Sequence, residues 1–125
     1  MAMLSENQII ESIERIEHEM SGFIAASLVD LDSGMTLGVK VKDPSFDVTT
    51  ASAFNSELVK QKLKILGAIG LDGGLDEILV TIDDQIHCIR LLSPSTFIYL
   101  AADRQATNHA IVRSVLTRHL RDFEA

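Results

Sequence analysis

Four histidines, one cysteine and a few closely spaced aspartates are the residues of this chain that could carry out chemistry. His87 and Cys88 stand side by side, and covalent catalysis needs a nucleophile next to a base. Neighbouring residues of a strand point to opposite faces of a sheet, so these two side chains cannot form a dyad. Cys88 lies in an apolar run, which predicts a small buried hydrophobe in a reducing compartment. The sequence therefore predicts no catalytic residue and no enzyme.

The other histidines and the aspartates are better explained by structure than by metal or cofactor binding. Asp30 and Asp32 begin like a calcium loop, but Gly34 stands where the third oxygen ligand belongs and no glutamate closes the loop. His119 lies on an apolar helical face, as a core or interface histidine does. The glycines after residue 66 lack the Lys-Ser or Lys-Thr pair that completes a phosphate-binding loop. We expect no metal site and no cofactor.

Composition narrows the class of protein. The 125 residues, 46% of them hydrophobic, suit one domain over 1–125. A net charge of −7 argues against nucleic acid, because proteins that bind phosphates gather Lys and Arg. No stretch approaches the roughly 20 apolar residues of a membrane span, and the start of the chain is acidic and amphipathic. These features predict a cytoplasmic protein without membrane insertion.

The first third of the chain predicts a helix followed by a hairpin. Ser5 and Gln8 form a capping box, and Leu4 and Ile9 a hydrophobic staple, for a helix that starts at about Glu6. The helix closes at Gly22. An almost continuously apolar strand over 23–29 follows, and such a sequence is typical of a strand that is covered on both faces. An Asp-Ser-Gly turn, in which Gly34 supplies a positive φ, then leads into the second strand.

A second helix is predicted from the N-cap Asp47 to about Leu66. Its apolar residues spread over about half of the circumference, whereas a helix on one sheet face needs a stripe of little more than about 100°. The surplus predicts a second apolar contact, with another chain. The apolar residues of this arc are Phe54, Ile65, Leu58, Ala51, Val48, Leu66, Val59 and Leu63, with Asn55 and Lys62 inside it.

The remaining sequence predicts three strands and a helix. A glycine-rich loop over 67–74 precedes strands over 77–82, 86–92 and 96–102, which form an antiparallel meander. Asp103 is the predicted cap of a last helix, whose apolar face carries Ile111, Val112, Val115, Leu116 and Leu120. The predicted fold class is α+β: a five-stranded antiparallel sheet with the first and third helices on one face and the second on the other.

Two stretches carry a resemblance to a known family. The residues from Gly22 to Gly38, with their Asp-Ser-Gly turn and small second strand, and those from Asp103 to Arg113, with Asn108 near the helix start, resemble the roadblock/dynein light-chain family. Bacterial members of the mutual-gliding B type are the most similar. The resemblance covers nearly the whole chain and, together with the order of elements, implies the roadblock fold, which is related to that of profilin.

The resemblance implies a homodimer without catalytic activity that regulates or scaffolds a Ras-like small GTPase, with a GTPase-activating or a polarity and motility role. Family dimers pair the strand after the second helix and lay the two second helices side by side, which agrees with the wide apolar arc. The implied dimer interface is Ala51, Asn55, Leu58, Val59, Lys62, Ile78 and Val80. Polar residues opposite the arc are the implied GTPase contacts: Glu57, Lys60, Gln61 and Lys64.

The alternative is a small-molecule sensor of the PAS or profilin-like kind. Such a sensor also has a five-stranded antiparallel sheet, and its ligand pocket needs a few converging polar groups, which no motif here marks. Aromatic residues make up 5% of the chain and tryptophan is absent, which weakens a flavin, haem or polyproline site.

Overall fold

The fold follows the predicted order of helices and strands. A computed structural model describes residues 6–123, so the predicted capping box and staple at Ser5 and Leu4 lie outside the described residues. The elements are α1 Glu6–Glu19, β1 Phe23–Asp30, β2 Thr36–Val41, α2 Val48–Ala68, β3 Glu77–Thr81, β4 Gln85–Ser93, β5 Thr96–Asp103 and α3 His109–Leu120, followed by a 3-10 turn over Arg121–Phe123.

One five-stranded sheet, in the order β2-β1-β5-β4-β3, organises the described residues. Every neighbouring pair is antiparallel. β1 and β5 therefore lie inside the sheet, while β2 and β3 are its two edges. The predicted fold class is confirmed, including the meander of β3, β4 and β5.

Helices cover both faces of the sheet, as predicted. α1 and α3 contribute residues such as Ile13 and Leu116 to a core under one face. α2 contributes Val59 to a second core on the other face, where it packs with Phe97 and Tyr99. Because β1 and β5 are buried on both sides, their near-continuous apolar sequences are explained.

The turns around the first hairpin depend on glycine and aspartate. Gly34 has φ +74°, the left-handed conformation that the Asp-Ser-Gly turn requires. Asp30 closes this turn, because its carboxylate accepts hydrogen bonds from the backbone N–H and the hydroxyl of Ser33. These bonds hold the pKa of Asp30 below its usual value. Asp30 is thus a turn residue, as expected.

The predicted cap of the last helix was wrong. Asp103 ends β5, and its carboxylate accepts the backbone N–H of Gln105 in the following turn. The N-cap of α3 is Asn108, whose side-chain oxygen accepts the N–H of Ile111. Asp and Asn are both good caps, so the sequence offers two starting points, and the turn after β5 uses the first.

Candidate protein-binding surface

The side of α2 that meets the sheet is made largely of small hydroxyl residues. Ser52 and Ser56 are fully buried there, together with Val48 and Val59. The hydroxyl of Ser52 donates to the carbonyl of Val48 and accepts from Ser27 of β1 at 2.7 Å. These bonds satisfy the buried hydroxyls, and the small side chains let the helix approach the strand closely. The large apolar residues of α2 are therefore free to face elsewhere.

Large apolar side chains are exposed along the flank of α2 that lies away from the sheet. The side chain of Phe54 is 72% exposed, and those of Leu58 and Ile65 are each 42% exposed. With Ala51 and Gln61 they recur at alternating intervals of three and four residues, the spacing by which one helix packs along another. We call these five residues the α2 flank. A soluble monomer seldom leaves such a continuous stripe in water, so the flank is suited to a partner.

The β3 edge of the sheet is open on the same side of the molecule. β3 pairs with β4 alone, so its outer backbone groups have no strand partner. Ile78 packs into the core under α2, and Leu79 into the opposite core. By strand alternation Val80 shares the face of Ile78, and both side chains are half-buried. An unpaired sheet edge is a template for association with another strand.

A hydrogen-bonded polar chain lies on the same sheet face. The Tyr99 hydroxyl is 3.1 Å from Nδ1 of His87, whose Nε2 is 2.7 Å from Oε1 of Gln85. Tyr99 also hydrogen-bonds Asn55 of α2, and the Phe46 ring packs edge-on against His87. Burial lowers the pKa of His87 and raises the pKa of Tyr99 to about 12. Both groups are therefore neutral near pH 7, and they link α2 to β4.

Most of the predicted interface residues lie on this surface, and one does not. Ala51 and Asn55 are half-buried, Leu58 and Lys62 are exposed, and Ile78 and Val80 are half-buried on β3. The placement of Val59 at the interface was wrong: its side chain has 0% exposure and belongs to the core of the single chain. Phe54 and Ile65 were missing from the predicted interface, although their three-and-four spacing with Leu58 was a usable signal.

The predicted GTPase contacts lie on the outer side of α2. Glu57, Gln61 and Lys64 are exposed. Lys60 is more constrained, because its ammonium group donates to the backbone carbonyl of Asp32 at 2.9 Å and lies 3.5 Å from Glu57. Lys60 thus joins α2 to the β1–β2 turn. Gln61 is the member of the α2 flank that also belongs to this outer polar set.

The groups that suggested catalysis are held apart. His87 faces α2, whereas Cys88 lies in the core under α1 and α3. Burial, with a smaller contribution from Glu77, raises the pKa of the Cys88 thiol to about 12, so it is protonated at neutral pH. His119 is mostly buried between α3 and the end of α1, where it contacts Glu19. Within residues 6–123, no three His, Cys, Asp or Glu side chains come together as metal ligands.

A groove of about 370 Å³ lies at the C-terminal end of α2, beside the glycine-rich loop. Leu63, Leu75 and Leu91 give it an apolar wall, and Asp76 and Ser93 are the polar side chains that line it. A ligand-sensing pocket needs polar groups that converge on one point.

Among the helices of residues 6–123, none combines the length and the apolar character that crossing a bilayer requires.

Comparison with solved structures shows what this chain is similar to. A roadblock/LC7 domain from Streptomyces avermitilis has 18% identity and a TM-score of 0.72, over 87% of this chain and 88% of that one. The gliding protein MglB from Thermus thermophilus has 15% identity and a TM-score of 0.80, over 98% and 91%. MglB from Myxococcus xanthus has 13% identity and a TM-score of 0.81, over 98% and 90%.

These similarities show that the chain has the roadblock fold. No protein-family model and no curated protein sequence matches it. The resemblance noted in the sequence thus agrees with the arrangement of helices and strands over most of the chain.

Proposed function

We propose that this protein is a homodimeric regulator or scaffold for a Ras-like small GTPase and has no catalytic residue of its own. The observation that carries the proposal is the exposed α2 flank, together with the unpaired β3 edge of the same sheet. Support also comes from the similarity in fold to MglB, a gliding protein.

In the proposed dimer, the β3 strands of two protomers pair about a two-fold axis, and their α2 helices lie side by side. Pairing satisfies the outer backbone groups of each β3, and helix contact removes the flank from water. The residues that make this interface are Ala51, Phe54, Asn55, Leu58, Lys62, Ile65, Ile78 and Val80. Asn55 would then tie the interface to Tyr99 and His87 beneath it.

The GTPase binds the outer side of the two α2 helices, through Glu57, Lys60, Gln61 and Lys64. A two-fold dimer places the two copies of this polar face near one axis, so one GTPase can contact residues of both protomers. Charged residues at the rim of such a site mainly set the association rate and its salt dependence.

The dimer is tested with Leu58→Asp, which places a charge within the apolar flank. A carboxylate that loses its water without gaining a partner costs several kcal/mol, so this variant should lose the α2 contact and show a lower mass than wild type by light scattering after gel filtration. Thr50→Asp adds the same charge on an exposed part of the same helix and should remain dimeric. A monomeric wild type at high micromolar concentration would contradict the dimer.

GTPase binding is tested with the Ras-like GTPases of the source organism, each loaded with GDP or a non-hydrolysable GTP analogue. The double variant Lys60→Glu/Lys64→Glu should bind more weakly at low salt, with a smaller difference at high salt, and stay dimeric. Arg121→Glu changes an exposed cation outside α2 and should bind as wild type does. Equal binding by all three proteins would place the GTPase elsewhere, and stimulated GTP hydrolysis would separate an activator from a scaffold.

A further inference from the structure

The second edge of the sheet, β2, also exposes an apolar row. Leu37, Val39 and Val41 are 37%, 44% and 37% exposed. They lie on the α2 side, because Val39 and Val41 line a depression with Val48, the first residue of α2. β2 pairs with β1 alone, so this row borders an edge without a strand partner. The β2 edge is separated from the β3 edge by the three strands between them.

The outer backbone groups in the regular part of β2 belong to Val39 and Val41 of this row. The N–H of Lys42 donates to the carbonyl of Ile24 of β1 at 2.9 Å. In an antiparallel pair, alternate residues bond to the neighbour, so Lys40 and Gly38 also face β1. The N–H and C=O groups of Val39 and Val41 therefore point away from the sheet, whereas the register of the β1–β2 pair is irregular at Leu37. They form a pattern that one further antiparallel strand could satisfy.

The other face of the β2 edge lies against an acidic helix. Gly38 sits beneath Ile10 of α1 so closely that a Cβ would lie 2.1 Å from the Ile10 Cδ1 atom. Lys40 lies 4.0 Å from the carboxylate of Glu17, and α1 carries five glutamates against one arginine over 6–19. A strand added at this edge would meet apolar side chains on the α2 side and carboxylates on the α1 side. Alternating apolar and basic residues fit that environment.

β2 itself has this alternation: Leu37, Val39 and Val41 interleave with Lys40, and Lys42 follows. We infer that a second copy of this chain binds here, with the two β2 strands antiparallel about a two-fold axis at Val39. Val39 then faces the partner's Val39, and Leu37 faces the partner's Val41. Lys40 faces the partner's Gly38, on the side of the sheet that α1 covers. A two-fold contact must be self-complementary, and this pattern is.

The inference does not depend on the GTPase or on the β3 interface. If both edges are used, each chain has two different two-fold contacts at opposite ends of its sheet, and dimers join into larger assemblies. A cross-linking test and an oligomer test address the β2 contact separately.

The cross-linking test compares Val39→Cys with Leu37→Cys under mild oxidation. Residues opposite each other in a hydrogen-bonded antiparallel pair have Cα atoms about 5.5 Å apart, within disulfide range. The Val39→Cys protein should therefore cross-link between chains at least about tenfold faster than the Leu37→Cys protein, whose own counterpart lies several residues away. The native Cys88 is buried and does not compete. Equal rates would overturn the inference.

The oligomer test compares wild type, Val39→Lys, Leu58→Asp and the double variant by light scattering after gel filtration. Val39→Lys sets like charges opposite each other, and Val39→Thr is the β-branched neutral control. We expect each single variant to lose one contact, the double variant to be monomeric, and Val39→Thr to match wild type. Circular dichroism must show each variant folded.

The outcomes separate the two interfaces. If Leu58→Asp alone lowers the mass and Val39→Lys has no effect, the β2 contact is wrong and the α2 dimer stands. If Val39→Lys alone lowers the mass, the β2 contact stands and the α2 dimer fails. A wild type that is monomeric at high micromolar concentration overturns both.

Discussion

The two faces of the sheet differ in how completely the chain covers them. Under α1 and α3, large side chains such as Ile13, Ile16 and Leu116 are fully buried. On the other face a single helix packs mainly on β1 and β2 and buries Val48 and Val59, while Phe54 stays 72% exposed. Folding of the single chain is enough to bury the apolar residues of the first face. The second leaves large apolar side chains exposed.

Small residues produce this difference. Ser52 and Ser56 occupy part of the contact between α2 and the sheet, and larger residues such as Phe54 and Leu58 remain outside it. The serine hydroxyls bond to the carbonyls of Val48 and Ser52, so burial leaves no polar group unsatisfied. A helix can thus be anchored by its small residues and bind through its large ones.

The largest expected difference between the two faces is tested with one side-chain truncation on each. Leu116→Ala opens a cavity in the core under α1 and α3 and should lower the free energy of unfolding by about 2–5 kcal/mol. Phe54→Ala removes an exposed ring and should change it by less than about 0.5 kcal/mol. Both are measured by urea unfolding in a Val39→Lys/Leu58→Asp background, which separates chain stability from association. Similar losses of unfolding free energy for the two variants would show that the face covered by α2 is as well packed as the opposite face.

A second prediction concerns the edge of the sheet face that α1 and α3 cover, where Arg90 is only 6% exposed. Its guanidinium donates to Glu77 and to Thr117, both at 2.8 Å, which joins β3, β4 and α3. Glu77→Ala removes the carboxylate from a mostly buried cation and should destabilise the chain by about 1–3 kcal/mol.

Arg113→Ala is the matched control for Glu77→Ala. Arg113 contacts the same carboxylate at 2.6 Å, but its side chain is largely exposed, so its loss should cost less than about 1 kcal/mol. Thermal unfolding of the two variants gives the ranking. If Arg113→Ala costs as much as Glu77→Ala, the exposed contact contributes more than its exposure predicts.

The smallest expected effect is a pH dependence of the stability, which comes from His87 on the sheet face that α2 covers. Burial lowers the pKa of His87 below its unfolded value, so unfolded chains bind more protons as the pH falls below about 6.5. The stability contributed by neutral His87 is therefore complete above that pH and is lost as the pH falls toward the lowered pKa. Urea midpoints between pH 7.5 and 5 should fall less steeply for His87→Gln than for wild type.

His119 must be separated from His87 in that experiment, because burial, then Arg15 and Arg118, also lower its pKa. His119→Gln serves as the second reference, and the double variant should show the flattest profile. Parallel profiles for wild type and His87→Gln would mean that His87 is protonated equally easily in both states.

Much of the fold was predictable because local rules and packing agree. The Asp-Ser-Gly turn, the N-cap Asp47 and the alternation of β3 each specify an element that the structure contains. The cap of α3 was not predictable from residue type, since Asp103 and Asn108 are equally good caps. The turn after β5 decides between them.

The candidate surface was predictable in outline and not in detail. The wide apolar arc of α2 indicated a partner, and Leu58 lies on that exposed side. Periodicity alone could not tell which half of the arc meets the sheet, because it counts Ser52 and Ser56 as polar while the fold buries them. Val59 was therefore placed at the interface, and Phe54 was left out.

The chain has no tryptophan and one tyrosine, so all of its phenol emission comes from Tyr99. That ring is fully buried and hydrogen-bonded to His87 beneath α2. Near-ultraviolet fluorescence therefore reports from one position without an attached dye. Binding of another protein to the nearby surface, or protonation of His87, should alter the fluorescence intensity of Tyr99. This intrinsic fluorescence can therefore report binding and protonation on the sheet face that α2 covers.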